Sequence, residues 1–124
     1  WLRKSESPRI VNIASTEALG ATPLDSAYVV SKAGVAGLTR ALAVDLGPEG
    51  ILVNCICPGP IDTAMTSCAP ADHKGILAKR RTSLKRYGGP EEVAQMTLAM
   101  SLPAQSYLTG TVVPVDGGLM ARNA

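Results

Sequence analysis

Short apolar runs alternate with long amphipathic stretches along this chain, and the alternation predicts its elements. Arg9 to Ala14 is compact and rich in Val and Ile, so it reads as a first, buried strand after a polar connector, Ser5 to Pro8. Trp1 to Lys4, before the connector, fits the tail of a helix. Ser15 to Ser26 is broken by Gly20 and Pro23 and reads as a loop. From about Ala27 to Leu46 the period changes to that of a helix, with Asp25 or Ser26 placed to cap it. Val30, Ala33, Leu38, Ala41, Leu42 and Val44 make that helix apolar around much of its circumference, which predicts burial. Gly34 and Gly37 lower its propensity, and such bare positions favour close packing. Gly47-Pro48 stops it.

Ile51 to Ile56 is apolar almost without interruption, the pattern of a strand covered on both faces. Pro58-Gly59-Pro60 ends it, and Ile61 to Gly89 is long, polar and basic, with a short helix predicted between Asp72 and Arg81. Pro90 to Leu102 reads as a third helix, with Pro90 in its first turn and Glu91 and Glu92 at the positive end of its dipole. Thr109-Gly110 turns into a last strand, Thr111 to Val115, which Asp116-Gly117-Gly118 closes. Strand, helix, strand, helix, strand implies an α/β fold with a parallel sheet and right-handed crossovers.

Composition narrows the classes. A chain of 124 residues that is 46% hydrophobic suits one packed domain. A net charge of +2 points to no particular partner, and 3% aromatics without Phe argues against a nucleic-acid stacking platform. Three cysteines do not suggest a disulfide framework, so a cytoplasmic setting is expected. Cys55 and Cys57 alternate on one strand face as small hydrophobes. With Cys68 and His73 they lack zinc spacing, so no metal site is expected and His73 reads as a solvated loop residue. Lys79, Arg80, Arg81, Lys85 and Arg86 fit a solvated face or a subunit contact. No apolar run has the length of a membrane span. The chain opens on Trp1, so it is expected to belong to a longer polypeptide.

The candidate chemistry lies between Ser15 and Lys32. Ser15 follows the first strand, and Tyr28 and Lys32 are spaced to share one face of the helix. A strand end thus delivers a hydroxyl, and a helix delivers a phenol and an ammonium. That set suits proton transfer to or from an oxygen. A Tyr-x-x-x-Lys alone is common on ordinary helices. Ser15 upstream and Pro58-Gly59 downstream, at a strand's carboxyl end where ligands bind in open α/β sheets, give this one its weight. Asn12 and Asn54 lie on strands and read as structural amides.

These motifs resemble those of the short-chain dehydrogenase/reductase family. Arg9-Ile10-Val11-Asn12-Ile13-Ala14-Ser15 is similar to its serine strand, Tyr28 to Lys32 to its Y-x-x-x-K, and Val53-Asn54-Cys55-Ile56-Cys57-Pro58-Gly59 to its V-N-x-x-x-P-G. Thr63, Tyr107-Leu108-Thr109-Gly110 and Val115-Asp116-Gly117-Gly118 follow in the family's order. The likeness is greatest to bacterial 3-oxoacyl-(acyl-carrier-protein) reductases and sugar dehydrogenases. The family's glycine-rich TGxxxGxG turn and its N-N-A-G strand end have no counterpart here.

The resemblance therefore implies the C-terminal part of a Rossmann-like doubly wound parallel sheet, residues 1–124 of a single dinucleotide-binding oxidoreductase domain. It implies an NAD- or NADP-dependent enzyme interconverting a small-molecule alcohol and a carbonyl, without nucleic-acid or membrane partners. Tyr28 would be the general acid or base, Ser15 would bond the substrate oxygen, and Lys32 would bond the nicotinamide ribose. A free tyrosine is a poor acid near neutrality, and an ammonium at ~4 Å in an effective dielectric of ~20 favours the phenolate by about 4 kcal/mol. Pro58, Gly59, Ile61 and Thr63, with Tyr28 and Lys32, would hold the cofactor, and Asp62 to Tyr87 would form the loop that closes over substrate. A homo-oligomer, tetramer or dimer, built on the long helix, the third helix and the last strand is implied as well. The alternative is a truncated, non-catalytic member serving as a binding or oligomerisation module.

Overall fold

A computed structural model of the chain describes residues 1–68 and 70–122. Three strands, β1 (Arg9–Ile13), β2 (Leu52–Pro58) and β3 (Val112–Val115), form a parallel sheet in the order β1-β2-β3. The helices are α1 (Ser26–Leu46), α2 (Ala71–Arg81) and α3 (Pro90–Ser101). Arg9 pairs with Leu52 and Ile13 with Ile56, and Cys55 pairs with Val112 and Pro58 with Val115.

β2 is central, and its near-continuous apolar sequence is matched by near-complete burial. Residues two apart share a face. Val53, Cys55 and Cys57 therefore point one way, into clusters that include Ala43, Leu42, Leu46 and Val35 of α1. Asn54 and Ile56 take the other face, and α3 packs across all three strands. Burying Val53 and Ile56 fully contributes about 1.5–3 kcal/mol each.

The two strand amides are satisfied, as their burial demands. Asn12 Nδ2 donates to Thr39 Oγ1 at 3.0 Å, tying β1 to α1. Asn54 Nδ2 donates to the Leu108 carbonyl at 2.8 Å, and its Oδ1 accepts the Thr111 N–H at 3.3 Å. The Val53 N–H donates to Thr109 Oγ1 at 3.0 Å, so residues 108–111 are stitched to β2 before β3 begins.

Four expectations are corrected. The long helix is not apolar-buried around its circumference: Val30 is 72%, Leu38 52% and Val44 77% exposed. Only Ala36, Thr39 and Ala43 are fully buried, because a helix lying on one face of a sheet turns one stripe inward. Gly34 and Gly37 sit on the open side, with no heavy atom within 4 Å of a Cβ placed there. Neither Asp25 nor Ser26 caps α1, since the Asp25 side chain makes no cap bond and α1 starts at Ser26. Ser15 does cap, but for the 3₁₀ turn Thr16–Ala18, by accepting the Glu17 N–H. His73 is exposed as expected but lies on α2, not in a loop.

Candidate active site

β1 and β2 run parallel, so their carboxyl ends meet at one edge of the sheet. Ser15 leaves the first and Pro58-Gly59 the second. The amino-terminal end of α1 brings Tyr28 and Lys32 to the same edge. There a cleft of about 430 Å³ opens, lined by Ser15, Tyr28, Lys32, Pro58, Gly59, Ile61 and Thr63. Every site residue expected from the sequence is on that lining. Ile13, Ala14, Pro60, Met65, Thr66, Pro90 and Val93 complete it.

Lys32 Nζ donates to the Ile13 carbonyl at 3.3 Å and stands 5.6 Å from the Tyr28 ring centroid, a cation–π distance. The ammonium is therefore anchored to the end of β1 and held over the phenol. Ser15 Oγ accepts from the Glu17 N–H at 3.2 Å, which occupies a lone pair and leaves the hydroxyl proton to donate elsewhere. Beneath them Cys57 is fully buried. Burial, reinforced by neighbouring Cys55, pushes its thiol up to about 11, against smaller opposing effects of the Ser15 backbone N–H and the Lys32 charge. It is thus neutral near pH 7 and adds no negative charge beside Lys32.

The arm after β2 is held in shape by its own polar groups. Thr63 leads into a 3₁₀ turn, Ala64–Thr66, closed by the Thr66 N–H on the Thr63 carbonyl at 3.0 Å. Thr66 Oγ1 accepts the Thr63 N–H at 2.9 Å and lies 2.9 Å from the Ile61 carbonyl. Farther on, the Asp62 N–H donates to the Gly88 carbonyl and the Gly88 N–H to the Pro60 carbonyl, so the long basic segment begins and ends side by side. Lys74 pairs with Asp62 at 2.8 Å and lies 5.8 Å from the Tyr87 ring, folding α2 back onto that junction. Arg86 forks onto Glu92 with both contacts at 2.7 Å, which, with the Gly89 N–H, holds the Glu92 carboxyl down to about 2.

Sequence reasoning missed Thr66, Met65, Pro90 and Val93. The Thr-x-x-Thr spacing of Thr63 and Thr66 is a legible turn signal. Pro90 and Val93 reach the cleft only through the docking of α3, which no local pattern reports. Ser15, Tyr28, Lys32 and Thr63 are hydroxyl and ammonium groups suited to a carbonyl oxygen and to sugar hydroxyls, so the lining fits the nicotinamide end of a dinucleotide. Among the described residues no cluster of His, Cys, Asp and Glu could hold a metal ion, and no helix is long and apolar enough to cross a membrane.

A family model described as enoyl-(acyl carrier protein) reductase matches residues 2–120. The chain is 39% identical over 120 residues to the 3-oxoacyl-[acyl-carrier-protein] reductase FabG of Thermotoga maritima, covering 97% of this chain and 48% of that protein. Among solved structures, 4-hydroxyisoleucine dehydrogenase complexed with NADH superposes with a TM-score of 0.83 at 32% identity, covering 94% of this chain and 48% of that one. ElxO with NADP bound does so with a TM-score of 0.85 at 26% identity, covering 92% and 47%. The chain spans about half the length of the curated relatives it matches.

Proposed function

Because the chain belongs to the short-chain dehydrogenase/reductase family, we propose that it forms the catalytic part of an NAD- or NADP-dependent oxidoreductase interconverting an alcohol and a carbonyl. The observation that carries this reading is the convergence of Ser15, from the loop after β1, with Tyr28 and Lys32, from α1, on one cleft beside the Pro58–Thr63 arm. Nothing in the packing of the sheet requires that trio.

The nicotinamide, when bound, supplies or accepts a hydride at the substrate carbon. The chain's own groups manage the oxygen. Ser15, its lone pair engaged by the Glu17 N–H, donates its hydroxyl proton to the substrate oxygen and holds it near Tyr28. Tyr28 gives a proton to that oxygen in reduction and takes it back in oxidation. Lys32, fixed by the Ile13 carbonyl, presents a positive charge to the phenol as negative charge develops there. Lys32 and Tyr28, with Pro58, Gly59, Ile61 and Thr63, hold the nicotinamide end of the cofactor, and residues 62–87 cover the substrate. A glycine-rich segment elsewhere in the complete protein holds the adenine end, and the setting is cytoplasmic.

The test is Tyr28→Phe in the protein that carries this chain together with its cofactor-binding part. Turnover is expected to fall roughly 10²–10⁴-fold while cofactor affinity is kept. Retained turnover overturns the reading and favours a binding module.

The outer face of α1, with Val30, Gly34, Gly37, Leu38 and Val44 open, supports the homo-oligomer. Leu38→Glu should lower the sedimenting mass. An unchanged mass would exclude that face as the contact.

A further inference from the structure

We infer that Glu17 is a positioning residue for the Ser15–Tyr28 pair: its carboxylate pins the turn that leads into the tyrosine helix, while its N–H aims the serine. The inference rests on the alcohol–carbonyl reading above, but its geometry does not. The Glu17 N–H donates to Ser15 Oγ at 3.2 Å. Its half-buried carboxylate reaches across the loop to one residue: Oε2 accepts the Thr22 N–H at 2.8 Å, and Oε1 accepts the Thr22 hydroxyl at 2.7 Å. Two charge-assisted bonds to one residue fix its orientation as well as its distance.

Thr22 opens a four-residue turn, closed by the Asp25 N–H on the Thr22 carbonyl at 3.3 Å. Pro23 occupies the second position, which its fixed φ suits, and Leu24 the third, with φ of 68°. That is the position of a type II turn where glycine is preferred, because a side chain is crowded there. Leu24 is fully exposed, so no burial compensates the strain. A strained residue persists only where its surroundings over-determine it, and the bonds from Glu17 to Thr22 supply that constraint. The turn runs directly into α1, since the Asp25 carbonyl accepts the Val29 N–H at 2.9 Å. Tyr28 lies within that first helical turn. One residue therefore governs both ends of the loop that separates the serine from the tyrosine.

The test uses four variants of the complete protein. Glu17→Ala removes both bonds to Thr22 but leaves the backbone N–H on Ser15. Glu17→Gln keeps one acceptor. Leu24→Gly removes the strain, and it is also combined with Glu17→Ala. Glu17→Ala should lower kcat roughly 10- to 100-fold, the scale of a displaced catalytic group, with cofactor affinity unchanged. Glu17→Gln should lose less. Leu24→Gly should restore part of the loss in the double variant, because glycine holds the turn without the clamp.

A second readout needs no turnover: with ¹³C-labelled tyrosine, the Tyr28 ring resonance should move in Glu17→Ala and return towards the parent position in the double variant. Full kcat in folded Glu17→Ala, or an unmoved Tyr28 resonance, overturns the inference. If the parent reduces no carbonyl yet the resonance moves and returns, the proposed activity fails and the positioning role stands.

Discussion

Gly59 and Asp116 belong to two motifs far apart in sequence, and the fold presses them together. A Cβ on Gly59 would lie 2.7 Å from both Cα and Cβ of Asp116 and 3.2 Å from its carbonyl oxygen. Carbon atoms at rest sit about 3.5–4.0 Å apart, so Gly59→Ala creates an overlap of roughly 1 Å against backbone that no rotamer can relieve. The Gly59 N–H also donates to the Val115 carbonyl at 3.0 Å, so separating the two chains stretches a bond between the ends of β2 and β3. Overpacking of this kind costs about 1–3 kcal/mol.

Urea unfolding should show the midpoint falling by that amount divided by the slope, with the slope itself unchanged. Gly75→Ala is the control: it lies inside α2 with nothing within 4 Å, and should gain about 0.5–1 kcal/mol. A Gly59→Ala chain within ~0.5 kcal/mol of the parent, the range of inert surface changes, would refute the clash.

Asn54→Leu leaves the Leu108 carbonyl and the Thr111 N–H without partners and should cost about 2–6 kcal/mol in the same assay, at about 1–3 per unsatisfied group; a loss below the control's gain would sink that account. Glu92 titrates near 2 when folded against an ordinary 4.5, so between those values the unfolded chain binds more protons. Its stabilising contribution is complete above about pH 4.5 and is lost as pH falls through about 2; an NMR titration of Arg86→Met should move the midpoint upward, and an unmoved midpoint would exclude the Arg86 pairing as its cause. Cys57, raised from 9.0 to about 11, favours the folded chain fully below pH 9 and progressively less as pH rises towards 11. An alkylating reagent at pH 8 should label exposed Cys68 in the native chain and all three thiols after unfolding; native labelling of Cys57 would contradict its burial.

Much of the framework was legible because its causes are local. A run from Ile51 to Ile56 that is apolar but for Asn54 predicts a doubly covered strand, and Pro90 followed by Glu91 and Glu92 predicts a helix start within a residue of the observed one. The cleft's polar groups were legible for the same reason: Tyr28 and Lys32 share a helical face by spacing alone. What was not legible depends on surfaces that meet. Val30, Leu38 and Val44 have the same apolar character whether they face a sheet or the outside, so periodicity cannot choose between them. The cap of α1 failed as a local rule because Asp25 follows a turn held from Glu17, eight positions earlier in the chain. Gly59 and Asp116 were each visible as turn residues, but they meet only once β3 is seated beside β2.

β2, the middle strand of the sheet, is made well before the partner that completes it. Asn54 waits for Leu108, 54 positions downstream, and the Val53 N–H for Thr109, 56 downstream. While the polypeptide is still being synthesised, an apolar strand and an unmatched amide must stand with one flank bare. Such long-range parallel closure is slow and leaves sticky surface uncovered meanwhile. A premature stop codon ahead of Leu108 is therefore expected to forfeit the whole sheet instead of trimming its edge, and between the synthesis of Pro58 and that of Val112 the nascent chain is a natural client for chaperones.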